Sequence, residues 1–279
     1  MLVTIDRRML LSVMGRAAVA GMIGTALAAD GIGRPSTKAR EAHPARPSVD
    51  PALRWATAPP TVVSRAAWHA DPTRVHHPEL TATRVKAVFI HHTDSGNDYT
   101  RREVPELLRS LSNDHVENRD WDDIGYNFLV DRTGTIYEGR AGGIATPVVG
   151  AHTLGFNVGT VGIAAIGSYG SGSTVPAPMV EAIARLAAWK LGLYGVDPRG
   201  STFLVSTNDG SRYPEGSGSF FPTISGHRDS FWTWCPGSAL YRLLPRIRDR
   251  AARLQGRTGP PASRADAPFG PAWDIELLW

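Results

Sequence analysis

The chain has 279 residues, of which 42% are hydrophobic and 20% charged, so it can bury a substantial folded core. Its formal net charge is only +4, and it contains neither a lysine-rich block nor a basic aromatic sheet motif, which excludes nucleic acid as an expected partner. A single cysteine, Cys235, excludes an internal disulfide and leaves three uses for the thiol: a buried apolar group, a bond to another chain, or a metal ligand.

The first 28 residues have the pattern of an export signal. Arg7 and Arg8 precede a modestly apolar run from Met9 to Ala29, and Ala26-Leu27-Ala28 has the form of a cleavage site. Both a twin-arginine signal and a general secretory signal, cleaved or retained as an anchor, are compatible with this pattern. The run is too weakly apolar to span a membrane well, so we expect no stable membrane insertion after cleavage. The pattern predicts an extracytoplasmic protein, in the cell wall or secreted.

Two proline-rich segments flank the rest of the chain. Residues 29–60 combine six prolines with small and polar neighbours, which is typical of a flexible linker. Residues 257–279 have a similar composition and are predicted to form a tail. Between them, residues 61–256 contain no internal repeat and are predicted to fold as one domain.

The first clear element of that domain is a short apolar run that ends in two histidines. Val85–Ile90 predicts a buried strand, and His91 and His92 follow it directly. Successive side chains of a strand point to opposite faces, so one imidazole can enter a site while the other packs or forms hydrogen bonds. The alternative is that both rings are simply exposed at the end of the strand.

The next elements alternate between helix and strand. Thr100 is predicted to cap a helix that runs to Asn118 and carries His115 at helical spacing. The later predictions are a strand over 121–130 that contains Tyr126, a return strand over 135–140, a buried strand over 161–167, and helices over 180–191 and 240–254, the last kinked at Pro245. Together they predict an α/β fold with a central mixed β-sheet covered by α-helices.

The segment Gly226–Gly237 holds the most reactive combination of residues. His227 precedes Cys235 by eight residues, and zinc accepts both imidazole nitrogen and thiolate sulfur. A catalytic zinc site uses three protein ligands and leaves the fourth position to water, so a third ligand must come from elsewhere in the chain. Taken alone, the cysteine is more simply explained as a small buried apolar residue.

Seven motifs then occur together in a characteristic order. They are Val-Ser-Arg-Ala-Ala-Trp, Phe-Ile-His-His-Thr, Asp-Ile-Gly-Tyr-Asn-Phe-Leu-Val, Ile-Tyr-Glu-Gly-Arg, Gly-Ala-His-Thr, Val-Gly-Ile-Ala-Ala-Ile-Gly and Gly-His-Arg-Asp followed by Cys-Pro-Gly. In this order and spacing the chain resembles the peptidoglycan recognition protein and type 2 N-acetylmuramoyl-L-alanine amidase family over residues 61–256. The absence of the disulfide pair that animal members carry after the His-His-Thr strand fits a bacterial source.

The resemblance implies a zinc-dependent hydrolase that cleaves the amide between N-acetylmuramic acid and the L-alanine of the peptidoglycan stem peptide. It makes His91, His227 and Cys235 the ligands of Zn²⁺. It also makes Tyr126 the group that points at the scissile carbonyl, and it places Thr233 near the metal. Peptidoglycan is the expected partner, and no motif indicates an assembly larger than a monomer.

Substrate contacts are predicted at four further positions. His152 and Asn157 match a loop that borders the peptidoglycan groove in the family, and His92 and His115 are the remaining candidates. The stretch Ser201–Phe221 resembles an insertion that reshapes the groove.

Two alternatives to an enzyme stay open. One is a non-catalytic peptidoglycan-binding module, although family members that only bind typically lack the cysteine ligand that this chain keeps as Cys235. The other is a structural zinc site in a protein with an unrelated role, which would usually have four protein ligands.

Overall fold

The fold is taken from a computed structural model that describes residues 53–76 and 80–259. The predicted export signal (1–28), most of the predicted linker (29–60) and the predicted tail beyond residue 259 lie outside the described residues. Within the described part of the chain, no helix combines the length and the apolar character needed to cross a membrane.

A six-stranded mixed β-sheet forms the centre of the described domain. Its strands are β1 Val62–Val63, β2 Ala87–His92, β3 Phe128–Val130, β4 Ile136–Glu138, β5 Thr160–Ala165 and, after the β6–β7 hairpin described below, β8 Ile224–Gly226. The order across the sheet is β1-β4-β3-β5-β2-β8. Only β3 and β4 pair antiparallel, and the other neighbours are parallel. The predicted mixed sheet is therefore confirmed.

Helices pack on both faces of this sheet. They are α1 Val104–Asn113, α2 Ala177–Gly192, α3 His227–Ser230, α4 Ser238–Tyr241 and α5 Leu244–Leu254. On one face, Val88 and Ile90 of β2 share a buried apolar cluster with α2 and α5. On the other face, Leu108 of α1 is buried together with Leu129 of β3. This layered arrangement confirms the predicted α/β architecture.

The predicted first helix and the predicted strand that contains Tyr126 both begin later than expected. The helix begins at Val104, because the amide and hydroxyl of Thr100 donate to the Glu103 carboxylate and form a separate turn before it. Residues 114–118 continue it as a π-helical turn. Tyr126 lies just before β3 and not within a strand. Although its carbonyl still accepts from the Arg140 amide at 2.8 Å, the ladder of β3 and β4 starts only at Phe128.

The predicted kink at Pro245 is also absent. The structure places Pro245 in the first turn of α5, where a missing amide hydrogen leaves no intrahelical bond unmade. The apolar stripe over 240–254 is therefore divided between α4 and α5 and does not form one bent helix.

The insertion-like stretch forms a β-hairpin of β6 Ser201–Val205 and β7 Gly218–Pro222. Its inner face buries Leu204 and Phe221 in a small cluster with Phe89 of β2. On the outer face, Phe203 and Phe220 are 44% and 52% exposed. Alternating side chains therefore give the hairpin one buried and one exposed face.

Lys190 joins α2 to a loop beside the sheet. Its Nζ donates to the carbonyls of Ile144, Ala145 and Thr146 at 2.8, 3.1 and 3.0 Å, and the side chain is buried. These three bonds supply the acceptors that a buried ammonium group requires.

Replacing Lys190 by methionine should therefore destabilise the domain. Met keeps the apolar stem but leaves three carbonyls without their donor, so we expect the free energy of unfolding to fall by about 1–3 kcal/mol. Denaturant unfolding of the full chain measures this difference. Arg185→Met, on the exposed side of the same helix, is the matched control and should change stability by no more than about 0.5 kcal/mol. Equal stability of Lys190→Met and the wild type would contradict the structural role.

Candidate metal centre and active site

Three potential metal ligands converge where two parallel strands end. His91 lies near the carboxyl end of β2, and His227 is the first residue of α3, directly after β8. The pairing of Ile90 with Gly226 places these two histidines side by side, with ring centroids 4.5 Å apart. Cys235 enters from the loop before α4, and the ligand atoms of all three residues lie within 4.8 Å of one another.

Asp229 holds the chain in the turn that presents His227. One carboxylate oxygen accepts from the Gly226 amide at 2.9 Å, which caps the start of α3. The other accepts from the Tyr241 hydroxyl at 2.6 Å and so connects α3 to α4. The cysteine loop closes on the same turn, because the Arg228 amide donates to the Cys235 carbonyl at 3.0 Å.

The donor set fits zinc. Zinc binds nitrogen at about 2.0–2.1 Å and sulfur at about 2.3 Å, so tetrahedral ligand atoms stand roughly 3.5 Å apart. Cys235 Sγ lies 3.8 Å from His91 Nδ1, close to that separation. His91 and Cys235 are buried, whereas His227 is partly exposed.

The electrostatics of the centre favour a cation. Burial raises the pKa of the Cys235 thiol to about 12 and lowers the pKa of His227 to about 4. Burial also lowers the pKa of His91 well below its usual value. Without a cation the three groups are therefore neutral, and a divalent ion would supply the positive charge that stabilises a thiolate. The His92 amide donates to the Cys235 sulfur at 3.3 Å and would also stabilise the negative charge of a thiolate.

Tyr126 and Thr233 lie beside the three ligands. The Tyr126 hydroxyl donates to the His92 carbonyl over a long 3.4 Å, and its ring lies 5.3 Å from that of His91. Burial raises the pKa of Tyr126, so the hydroxyl keeps its proton. Thr233 Oγ1 accepts from the Cys235 amide at 3.1 Å, which leaves the hydroxyl hydrogen free to donate elsewhere.

The two histidines of β2 diverge as the alternation predicts. His91 faces the ligand cluster, whereas Nε2 of His92 lies 3.8 Å from an Asp94 carboxylate oxygen near the surface. The His115 ring is buried, and its Nδ1 accepts from the Gly125 amide at 3.0 Å. It also packs against Tyr126, so its placement favours a role in supporting that tyrosine.

The loop that carries His152 and Asn157 turns inward. The His152 ring is only 5% exposed and its Nδ1 lies 3.1 Å from Nε2 of His91. Asn157 Oδ1 accepts from the amides of His152 and Thr153 at 2.9 and 2.8 Å and so shapes the loop. Substrate contact by His92, His115, His152 and Asn157 stays a prediction, and the burial of the His115 and His152 rings argues against direct contact by those two.

Several residues of the site were not identified from the sequence. Asp229 stands three positions after Gly226, and a carboxylate at that spacing can accept from the amide at the start of a helix, which would have indicated the turn. Trp232 and Trp234, which flank Thr233, are 73% and 85% exposed, and tryptophan next to the only cysteine was a visible signal. Thr160, which lies 3.3 Å from Nε2 of His152, had no signal in the sequence.

Comparison with known proteins shows to which family this chain is related. Residues 81–238, more than half of the chain, match the Amidase_2 family, described as N-acetylmuramoyl-L-alanine amidase. The chain belongs to this amidase family. The match confirms the resemblance that the seven motifs indicated, and it includes all three candidate ligands.

Relatives of this amidase-family chain include both enzymes and recognition proteins. Human N-acetylmuramoyl-L-alanine amidase is 31% identical over 189 residues, which is 66% of this chain and 28% of that protein. Peptidoglycan-recognition protein LE of Drosophila melanogaster is 39% identical over 108 residues, or 39% of this chain and 30% of that protein. The matched segments thus span less than a third of these curated relatives.

Solved structures confirm the fold of the amidase-family domain. Drosophila PGRP-LB superimposes with a TM-score of 0.50 at 26% identity, over 65% of this chain and 91% of that chain. Peptidoglycan recognition protein LE, solved with tracheal cytotoxin, a monomeric diaminopimelic acid-type peptidoglycan, gives a TM-score of 0.52 at 27% identity. That match covers 66% of this chain and 92% of that chain.

Proposed function

We propose that this protein is a zinc-dependent amidase that cleaves the bond between the lactyl group of N-acetylmuramic acid and the L-alanine of the stem peptide. The observation that carries the proposal is the convergence of His91, His227 and Cys235 within 4.8 Å, beside the Tyr126 hydroxyl. Three protein ligands are typical of catalytic zinc, whereas structural zinc usually has four. When bound, zinc acidifies water and polarises a carbonyl oxygen, which is the chemistry that amide hydrolysis needs.

The proposed role of Tyr126 is to stabilise charge on the reacting carbonyl oxygen. Its hydroxyl makes only a long bond of 3.4 Å to the His92 carbonyl, so little is lost when it donates to substrate. A donor held in place before reaction stabilises the developing oxyanion without reorganisation. Thr233, whose hydroxyl hydrogen is available, is positioned to donate to the attacking water or to the same oxygen.

Two cavities support an extended peptidoglycan substrate. One, of about 320 Å³, reaches Thr93 and is lined by leucines of α1 and β3 together with polar side chains such as Ser110 and Asp114. The other, of about 260 Å³, reaches Thr233 and includes Trp232 and Trp234. The Arg212 guanidinium lies 4.6 Å from the Trp232 ring centroid, so this side offers aromatic faces together with positive charge. Such a surface suits a polymer of sugar rings and carboxylate-bearing peptides.

The decisive test is the product released from cell-wall sacculi. The zinc-loaded full chain should release soluble stem peptides with newly freed L-alanine amines and no new reducing sugar ends, because the amide and not the glycosidic bond is cut. Reducing ends without free alanine amines would overturn the amidase proposal. Sedimentation with sacculi without any release would instead support a non-catalytic peptidoglycan-binding module.

Cys235→Ala is the matched control for this assay. It should lose both zinc and peptide release, since removing the thiolate weakens metal binding, while the surface around Trp232 and Trp234 still retains the protein on sacculi. Metal analysis of both proteins after dialysis checks the ligand assignment. Equal zinc content in Cys235→Ala and the wild type would show that the cysteine is not a ligand.

Tyr126→Phe separates catalysis from metal binding. Zinc content and sacculus binding should stay close to wild type, because the hydroxyl is not among the proposed ligands. Turnover should fall by about 10² to 10³, the loss seen when one oxyanion donor is removed. Steady-state release of stem peptides measures the effect, and wild-type turnover would remove Tyr126 from the mechanism.

We further propose that the protein acts outside the cytoplasm after export. The support is the sequence pattern of residues 1–28 together with a cell-wall substrate. Protein purified from its native host should begin near Ala29, and N-terminal sequencing checks this. An intact Met1 on cytoplasmic protein would contradict the proposal.

A further inference from the structure

A chain of hydrogen-bonding groups leads from His91 into the protein interior. Nε2 of His91 lies 3.1 Å from Nδ1 of His152, and Nε2 of His152 lies 3.3 Å from Oγ1 of Thr160. The Thr160 hydroxyl in turn lies 2.6 Å from the Phe156 carbonyl oxygen. All three side chains are buried, so solvent does not compete for these contacts.

The donor and acceptor roles in this series of groups are fixed at Thr160, its inner end. A carbonyl oxygen can only accept, and the Thr160 hydroxyl oxygen has carbonyl oxygens of Phe156 and Asn157 at 2.6 and 3.1 Å. Its single hydrogen must therefore point to a carbonyl, since facing lone pairs at such distances would repel. The hydroxyl oxygen then has only its lone pairs to offer His152, so Nε2 of His152 must carry a hydrogen.

The hydrogen on Nε2 of His152 in turn fixes the hydrogen positions on both imidazoles. Burial disfavours charged rings, and a neutral imidazole with hydrogen on Nε2 has Nδ1 as an acceptor. Nδ1 of His152 therefore accepts from Nε2 of His91. A neutral His91 with hydrogen on Nε2 has its lone pair on Nδ1, the nitrogen that lies 3.8 Å from the Cys235 sulfur.

We propose that His152 and Thr160 are positioning residues that set the tautomer of His91, so that its Nδ1 lone pair is presented to the metal centre. The inference rests on the proposed zinc site. Histidine ligands usually donate their second N–H to a carboxylate, a backbone carbonyl or water, which fixes the ring orientation. Here the acceptor is a second, neutral imidazole, so the support adds no negative charge beside the cysteine ligand.

The packing around His152 holds its ring in this position. A Cβ atom on Gly162 would lie 2.4 Å from Cγ of His152, and one on Gly150 would lie 2.6 Å from Cδ2. Both distances are shorter than any normal contact, so only glycine at these two positions leaves room for the ring. Asn157 fixes the other end of the residue by accepting from the His152 amide at 2.9 Å.

Zinc affinity of paired variants of the full chain tests the inference. His152→Leu removes the acceptor and should weaken zinc binding, measured by chelator competition, by about 10- to 100-fold. His152→Asn should recover most of that affinity, because Oδ1 of asparagine accepts near the position of Nδ1. Thr160→Val, which keeps the shape but removes the hydroxyl, should lose affinity by up to about tenfold. Wild-type affinity in His152→Leu, or equal losses in the leucine and asparagine variants, would overturn the inference.

Imidazole ¹⁵N chemical shifts of the metal-free wild-type chain provide a direct second readout. We expect His91 and His152 both to carry hydrogen on Nε2 and neither on Nδ1. In Thr160→Val, His152 should no longer occupy a single tautomer. Hydrogen on Nδ1 of His91 would overturn the inference even if a substituted protein fails to fold.

The metal-free measurement separates this inference from the proposed function. If the expected tautomers are present but the protein neither retains zinc nor releases stem peptides, the amidase proposal fails and the tautomer assignment stands. If zinc and activity are present but His91 carries hydrogen on Nδ1 in the metal-free state, the tautomer assignment fails and the amidase proposal stands.

Discussion

The parallel pairing of β2 with β8 is the constraint on which the candidate site depends. It brings His91 next to His227, residues separated by more than half of the domain sequence, and it does so through three residue pairs that end at Ile90 and Gly226. Because side chains alternate along a strand, a slip of one residue would turn His92 toward the ligands and His91 away. The apolar residues Val88 and Ile90 fix the register by facing the helices of the main core.

The candidate centre is built almost entirely from groups that burial keeps neutral. Around the Cys235 sulfur lie two imidazoles, a tyrosine hydroxyl and a backbone amide, and the Asp94 carboxylate beside His92 is largely exposed. Burying polar groups of this kind costs free energy unless a bound cation interacts with their lone pairs. The arrangement therefore lowers the stability of the metal-free protein but leaves the ligands in place for a metal, as is common at functional sites.

The parts of this structure that the sequence predicts are those encoded locally or by motif. The strand that carries His91, the opposite directions of His91 and His92, and the mixed sheet all follow from apolar runs and their alternation. The inward position of His152 does not, because it depends on the space left by two glycines and on a threonine anchored by backbone carbonyls. The contacts of the threonine involve main-chain carbonyls, which every sequence shares, and so leave no trace in residue patterns. Pro245 shows a related limit, because a proline in an apolar helical pattern is compatible both with a kink inside one helix and with the first turn of a new helix.

The β6–β7 hairpin, at the periphery of the domain, is hydrogen-bonded to the short helix that carries His227. The Arg212 amide, in the hairpin loop, donates to the Ser230 carbonyl at 3.0 Å, and the Ser230 hydroxyl pairs with that of Thr153 at 2.6 Å. Ser230 ends the same short helix that begins with His227. A fluctuation that lifts the hairpin loop therefore also breaks a hydrogen bond to the end of this helix, so local opening of the hairpin and of the ligand turn is coupled. Amide exchange at the ligand turn then depends in part on the stability of a hairpin that contributes no ligand of its own.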